Sequence, residues 1–330
     1  MEVMGVATAT LGAVPEFTGP MAWRAGDLLD DEWRFEFGHA ERRELECAMA
    51  EPLRSRIPVV AQRPDDYTLT ASRSLMARVR QALQHGRGFA LLSGLPVADW
   101  GEEASTLAYW LLASLVARPV AQNVAGTLVY DVQDTQRKPE PGSGVRPDKT
   151  NVEQFFHNDN AYNRCQPEHV GLLCIRPAAE GGCSGVASIR TIHNALRERH
   201  PDVLPRLYRP FLFDRQHEHA AGEPPVVSAP VFASAGQELK MRMGLYPLLN
   251  AYKLPGNELD AEGARALEKL KEVLAEPTLC HSFSMAAGEM QFVNNLGTCH
   301  RRTAFQDGPG HKRHLVRLWL RDHGGRGYEG

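Results

Sequence analysis

The sequence has no CxxC pair, no apolar run of membrane-spanning length and no basic residue ahead of Arg24. Each absence excludes a class. The longest apolar stretch, residues 108–117, falls far short of the ~20 residues a transmembrane helix needs. A secretory leader needs a positively charged start, so none is read. Cys47, Cys165, Cys174, Cys183, Cys280 and Cys299 are scattered through 330 residues. In a chain this long, that spacing points to reduced, mostly buried thiols and a cytoplasmic location, not to a disulfide framework. An excess of one charge is missing too. The formal net charge is −3, and Lys and Arg cluster only briefly, at 311–314. The sequence therefore predicts no nucleic-acid and no membrane partner. No Gly-rich phosphate loop follows a strand, and no repeat of solenoid or propeller period occurs. The G-x-S-x-G pattern of a nucleophile elbow fails at Val186.

What is present is an ordinary globular composition, 43% hydrophobic and 23% charged, with apolar material for a large core. Helical spacing appears near 30–49, at 75–85, at 104–117 and at 191–199, where Thr191 is a candidate N-cap. The helix signal is strongest at 260–275. Short apolar or alternating runs predict strands at 89–93, 154–156, 169–175, 185–189, 290–294 and 314–321. Residues 133–150 read as a loop and 201–258 as mixed strand and loop. Short strands broken by turns, with helices early and in one late insertion, predict a mainly β jelly roll carrying helices. A doubly wound sheet would need regular alternation of strands and helices, and that is missing.

The central chemical signal is Phe156-His157-Asn158-Asp159. Positions two apart on an extended segment share a face, so His157 and Asp159 offer two ligands to one metal. Two His and one carboxylate leave three positions open, which suits Fe(II) that must also bind a cosubstrate and O2. A third ligand must come from elsewhere. The segment Asn294-Asn295-Leu296-Gly297-Thr298-Cys299-His300-Arg301-Arg302-Thr303-Ala304-Phe305 supplies His300. Cys299 is its neighbour and on a strand points to the opposite face. Arg313 and Arg317 follow on one strand face. A buried arginine fork near iron can bind the distal carboxylate of a 2-oxo diacid; solvated surface charges fit the same pattern. His217-Glu218-His219 resembles the start of a cupin metal motif, with a loop as the plainer reading. Met241 and Met243 read as core. Tyr162-Asn163-Arg164 reads equally as a substrate border or a surface turn.

The order Phe-His-x-Asp, Gly-Gly-x-Ser, Asn-Asn…His-Arg-Arg-Thr-Ala-Phe and Arg-His-Leu-Val-Arg-Leu-Trp-Leu resembles the taurine dioxygenase-like (TauD/TfdA) Fe(II)/2-oxoglutarate oxygenases. Clavaminate synthase-like hydroxylases belong to the same broad group. The resemblance covers roughly 86–322. It implies a double-stranded β-helix with iron at one mouth, held by His157, Asp159 and His300. It implies that Arg313, with Ser184, binds the C5 carboxylate of 2-oxoglutarate, and that Arg317 and Glu153 face the substrate. The implied reaction uses Fe(II), 2-oxoglutarate and O2 to hydroxylate an unactivated C–H of a small polar molecule, an amino acid or a derivative of one. Succinate and CO2 leave. Desaturation, cyclisation, or a non-catalytic jelly-roll binding protein are the competing outcomes. Halogenation is not expected, because Asp159 fills the place a halide would take. Asn158 departs from the group's usual Thr. The chain is expected to form one oxygenase domain over 1–330. Residues 1–85 would support a jelly-roll core at 86–322, with a helical insertion at about 191–280.

Overall fold

The strand His314–Leu320 shows how the molecule is assembled. Leu315 and Trp319 face one apolar core, while Val316, Leu318 and Leu320 face another. A strand with both faces buried belongs in the middle of a sheet covered on both sides. The computed structural model describes residues 15–137 and 146–329. In it, this strand lies within a seven-stranded sheet. Across that sheet run Arg34–Glu36, Phe89–Ser93, Met290–Asn294, His169–Arg176, His314–Leu320 and Pro119–Val120, and Tyr130–Val132 also pairs with His314–Leu320. All pairings are antiparallel except Arg34–Glu36 with Phe89–Ser93.

A four-stranded antiparallel sheet faces it, ordered Cys280–Phe283, Ser184–Ser188, Thr298–Arg302, Gln154–His157. The core between the sheets takes Phe89, Val170, Leu315 and Trp319 from one and Val186 and Phe283 from the other. This is the expected jelly roll. Helices cover both outer faces. His39–Ser55, Thr70–Gln84 and Val97–Val116 pack behind the large sheet. Gly171 permits that approach, since a Cβ there would stand 2.4 Å from the Tyr109 hydroxyl. Ile189–Arg199 and Ala261–Leu274 pack behind the small sheet.

The insertion between Ser184–Ser188 and Cys280–Phe283 carries those two helices, two β-hairpins and the short helix Leu245–Ala251. The stretch read as mixed strand and loop is therefore regular in large part. Two local expectations are corrected. The helical signal at 30–49 breaks into Asp30–Trp33, the edge strand Arg34–Glu36 and His39–Ser55. The edge strand's hydrogen bonds to Phe89–Ser93 outweigh its helical spacing. Ser188, not Thr191, caps the helix Ile189–Arg199, because its hydroxyl oxygen accepts the Thr191 N–H at 3.2 Å. The loop expected at 133–150 falls partly outside the described residues. Among those described, no helix is long and apolar enough to cross a membrane.

Two buried histidines tie this packing to pH. Burial pushes His169 and His193 each down to about 4. His193 bonds Tyr208 and sits among the edges of Phe17 and Phe232. Unfolded imidazoles titrate near 6.5, so between about pH 6.5 and 4 the unfolded chain binds the extra protons. Stability is therefore full above pH 6.5 and is lost as pH falls. The melting temperature of the metal-free protein should drop between pH 7 and 5. His193→Phe should make that dependence shallower. A flat profile would contradict the assignment.

Candidate metal and cosubstrate site

His157 ends its strand beside Thr298–Arg302, and in the ladder it pairs with His300. Alternation sends Phe156 and Cys299 outward into the helical layer and the two histidines inward. The imidazole centroids lie 4.2 Å apart. Asp159 follows after one residue, and its Oδ1 is 3.4 Å from His157 Nε2 and 3.9 Å from His300 Nε2. The structure thus brings the three residues together, with one ligand atom from each within 4.8 Å of the others. Among the described residues no other His, Cys, Asp or Glu group does so.

Hydrogen bonding and charge around the three residues suit a cation. The Phe155 carbonyl accepts from His157 Nδ1–H at 2.9 Å, and the Gln154 amide nitrogen lies 3.0 Å from Nε2. Burial, aided by His157 and Arg317 and opposed by Asp159, presses His300 down to about 3, so it is neutral. Burial alone would raise Asp159. The Arg317 guanidinium and the two imidazoles outweigh it and hold the carboxyl far below the usual range. Two imidazoles and a carboxylate on one face are the donor set that suits Fe(II) with open positions.

The second oxygen of Asp159 is occupied. Trp319 Nε1–H donates to Oδ2 at 2.7 Å, and Arg317 Nη1 stands 3.4 Å away. Only Oδ1 faces the histidines. The backbone around Asp159 is fixed as well. Asn295 accepts the Asp159 N–H at 2.8 Å and donates to its carbonyl at 3.0 Å. Asn158 donates to the carbonyls of Asn295 and Thr298 and accepts the Met243 N–H. A single buried amide therefore ties the Asp159 loop to the His300 strand and to the insertion. Asn158 has the second donor that a threonine hydroxyl would lack.

Arg317, expected to face the substrate, lies in the walls of both cavities and has protein partners. The structure pairs Nη1 with Asp148 Oδ2 at 3.1 Å and with Asp159, and Nε donates to Gln122 at 2.8 Å. Nη2 has no partner among the described residues. Burial works against this charge, but Asp159 and Asp148 outweigh it.

Two cavities share His157 and Asp159 in their walls, and His300 lines the inner one. The inner one, between the sheets, is lined by Ser184, Gln291, Arg302, Arg313 and Leu315. Burial pulls Arg313 down to about 10, and its Nη1 has no partner among the described residues. Arg302 donates to the carbonyls of Thr150 and Val152. Two buried guanidiniums and a hydroxyl, with no carboxylate among the described residues answering Arg313 Nη1, are donors that would suit an anion. The outer cavity, about 330 Å³, is lined by Arg146, Glu153, Tyr162, Leu245, Pro247, Arg317 and Trp319. Glu153 sits exposed at its wall. Glu218 of the His217-Glu218-His219 run accepts the Val124 N–H and belongs to a turn, not to a metal group. Tyr162 borders the outer cavity; Met241 and Met243 are core. Sequence reasoning missed Gln122, Arg146, Asp148 and Trp319. Trp319 alone left a signal, because it shares a strand face with Arg317.

Removing the indole donor leaves Oδ2 unanchored. Partners of this kind typically contribute ~10–100-fold in metal affinity. Trp319→Phe should weaken Fe(II) binding by at least ~10-fold in an anaerobic competition titration. Unchanged affinity would show that the indole does not position the carboxylate.

Comparison with known proteins accords with this geometry. Curated FR-33289 synthase of Streptomyces rubellomurinus is 27% identical over 316 residues, covering 94% of this chain and 91% of that protein. The structure of asparagine oxygenase with Fe(II), 2S,3S-3-hydroxyasparagine and succinate superposes with a TM-score of 0.64 at 21% identity, covering 88% of this chain and 94% of that one. The non-heme iron oxygenase OrfP with Fe, succinate and (3S)-hydroxy-L-Arg gives 0.65 at 14% identity, with the same coverage. The family model of the taurine catabolism dioxygenases TauD, TfdA matches residues 51–319, and the chain belongs to that family.

Proposed function

We propose that this Fe(II)/2-oxoglutarate-dependent dioxygenase hydroxylates an amino acid or an amino-acid-derived metabolite in the outer cavity. The observation that carries the reading is that His157, Asp159 and His300 converge where the two cavities share His157 and Asp159 as their common wall. These three residues hold the metal. Arg313, with Ser184, takes the distal carboxylate of 2-oxoglutarate in the inner cavity. Bound iron supplies the redox chemistry by which O2 and 2-oxoglutarate become succinate and CO2 and one oxygen atom enters the substrate.

The protein's own part is geometric and electrostatic. Asp159, held by Trp319 and Arg317, offers one oxygen to the metal and fills the position a halide would need, which favours hydroxylation. Arg317 Nη2 is the donor left for a substrate carboxylate, and Glu153 suits a cationic group at the wall. The apolar residues Leu245 and Pro247 shield the reacting carbon from water. The amino-acid ligands named in the asparagine oxygenase and OrfP complexes support this substrate class. Six unpaired thiols favour a cytoplasmic location.

The test falls on the cosubstrate. Losing a buried, charge-assisted contact costs on the order of 2–5 kcal/mol. Arg313→Ala should therefore raise the 2-oxoglutarate KM by at least ~30-fold. An unchanged KM, with the rise appearing in Arg302→Ala instead, would move the clamp to Arg302.

A further inference from the structure

Gln291 is buried between the two sheets, 2% exposed, and the reaction above gives it no part. Its strand, Met290–Asn294, alternates. Met290 and Phe292 face the helical layer, while Val293 faces the core between the sheets. Gln291 shares the Val293 face. In the ladder it stands between Leu91 and Leu172, and Leu172 stands opposite Arg317. Cross-strand neighbours point the same way, so Gln291 turns with Leu172 and Arg317 into the inner cavity, which all three line. Such a position ordinarily takes an apolar residue. Here the amide Oε1 is enclosed without a donor, and among the described residues the amide nitrogen donates to nothing either.

A buried amide with both ends unused is destabilising unless a ligand or water completes it. The cavity wall indicates which ligand would. Arg302, Arg313 and the Ser184 hydroxyl bring donors, and His300 brings the metal face. Asp148 and Asp159 line the same cavity, but Arg317 pairs with both and neither accepts from Gln291. We propose that Gln291 is a cosubstrate-binding residue whose amide N–H donates to an oxygen of the bound 2-oxoglutarate. The proposal rests on the inner cavity being the cosubstrate site of an oxygenase.

Anaerobic titration of the Fe(II) enzyme tests it, read by the weak visible charge-transfer band that 2-oxoglutarate should produce. Gln291→Met keeps the side-chain length and removes the amide. It should raise the 2-oxoglutarate Kd by ~10-fold. Gln291→Glu supplies a carboxylate that answers Arg302 and Arg313 in the ligand's place, and should raise the Kd by at least ~100-fold. Fe(II) affinity without cosubstrate should change less than 3-fold in Gln291→Met. 2-Oxopentanoate, which lacks the distal carboxylate, locates the contact. Its Kd stays unchanged in Gln291→Met if the amide meets the distal end, and rises equally if the amide meets the 2-oxo acid end. The ligand-free Gln291→Met protein should melt at or above the wild-type temperature, because no unused amide is then buried. Gln291→Leu keeps the test available if Gln291→Met does not fold. A lower melting temperature with the 2-oxoglutarate Kd intact would make the amide structural and overturn the proposal. An equal Kd in wild type and Gln291→Glu would do the same. Absence of the band in the wild-type protein refutes the oxygenase reading and the proposal with it; a band with an unchanged Kd in the variants refutes only the role of Gln291.

Discussion

The Asp159 carboxylate has two oxygens and two duties, and the site depends on keeping them apart. Oδ1 faces the two histidine nitrogens; Oδ2 is held by the Trp319 indole and the Arg317 guanidinium. A carboxylate free to rotate would offer a metal both oxygens and occupy a position needed for cosubstrate or O2. Arg317 in turn is neutralised by Asp148, which stands within electrostatic reach of Arg146. Charges thus alternate from the cavity wall to the metal face. Removing a single member would leave its buried neighbour unpaired, which is more costly than losing one surface ion pair.

The scaffold makes this arrangement available through simple alternation. On His314–Leu320, the face that buries Leu315 and Trp319 also carries Arg317, and it continues the side on which Arg313 reaches the inner cavity. The opposite face holds the strand against the helix Val97–Val116. The insertion contributes through Met243 and Gly244, which bond the loop around Asn158 and His157, and through Leu245 and Pro247 in the outer cavity wall. The insertion is thereby placed at the wall of the outer cavity, beside the Asp159 loop.

Much of this was legible in the sequence because it depends on period and local order. The strands Phe89–Ser93 and Met290–Asn294 stand at the residues their apolar runs predict. His157, Asp159 and His300 follow from a period of two and a third donor in a distant motif. The partners of Arg317 were not legible. Asp148 and Gln122 reach it across the fold, and no local spacing encodes a contact 195 residues apart. Arg146 lies in loop sequence, where charge reads as solvated. The edge strand Arg34–Glu36 was hidden because its partner strand, not its own spacing, decides its conformation.

The central claim is that Asp159 gives one oxygen to the metal while Trp319 and Arg317 hold the other. A crystal structure of the anaerobic Fe(II)–2-oxoglutarate complex tests it most directly. The account predicts one metal bound by His157 Nε2, His300 Nε2 and Asp159 Oδ1, with nitrogen distances of ~2.0–2.2 Å by analogy with other imidazole sites. The Trp319 N–H should remain on Oδ2. A metal bound elsewhere, or an Asp159 carboxylate that turns away from Trp319 to bind through both oxygens, would contradict it.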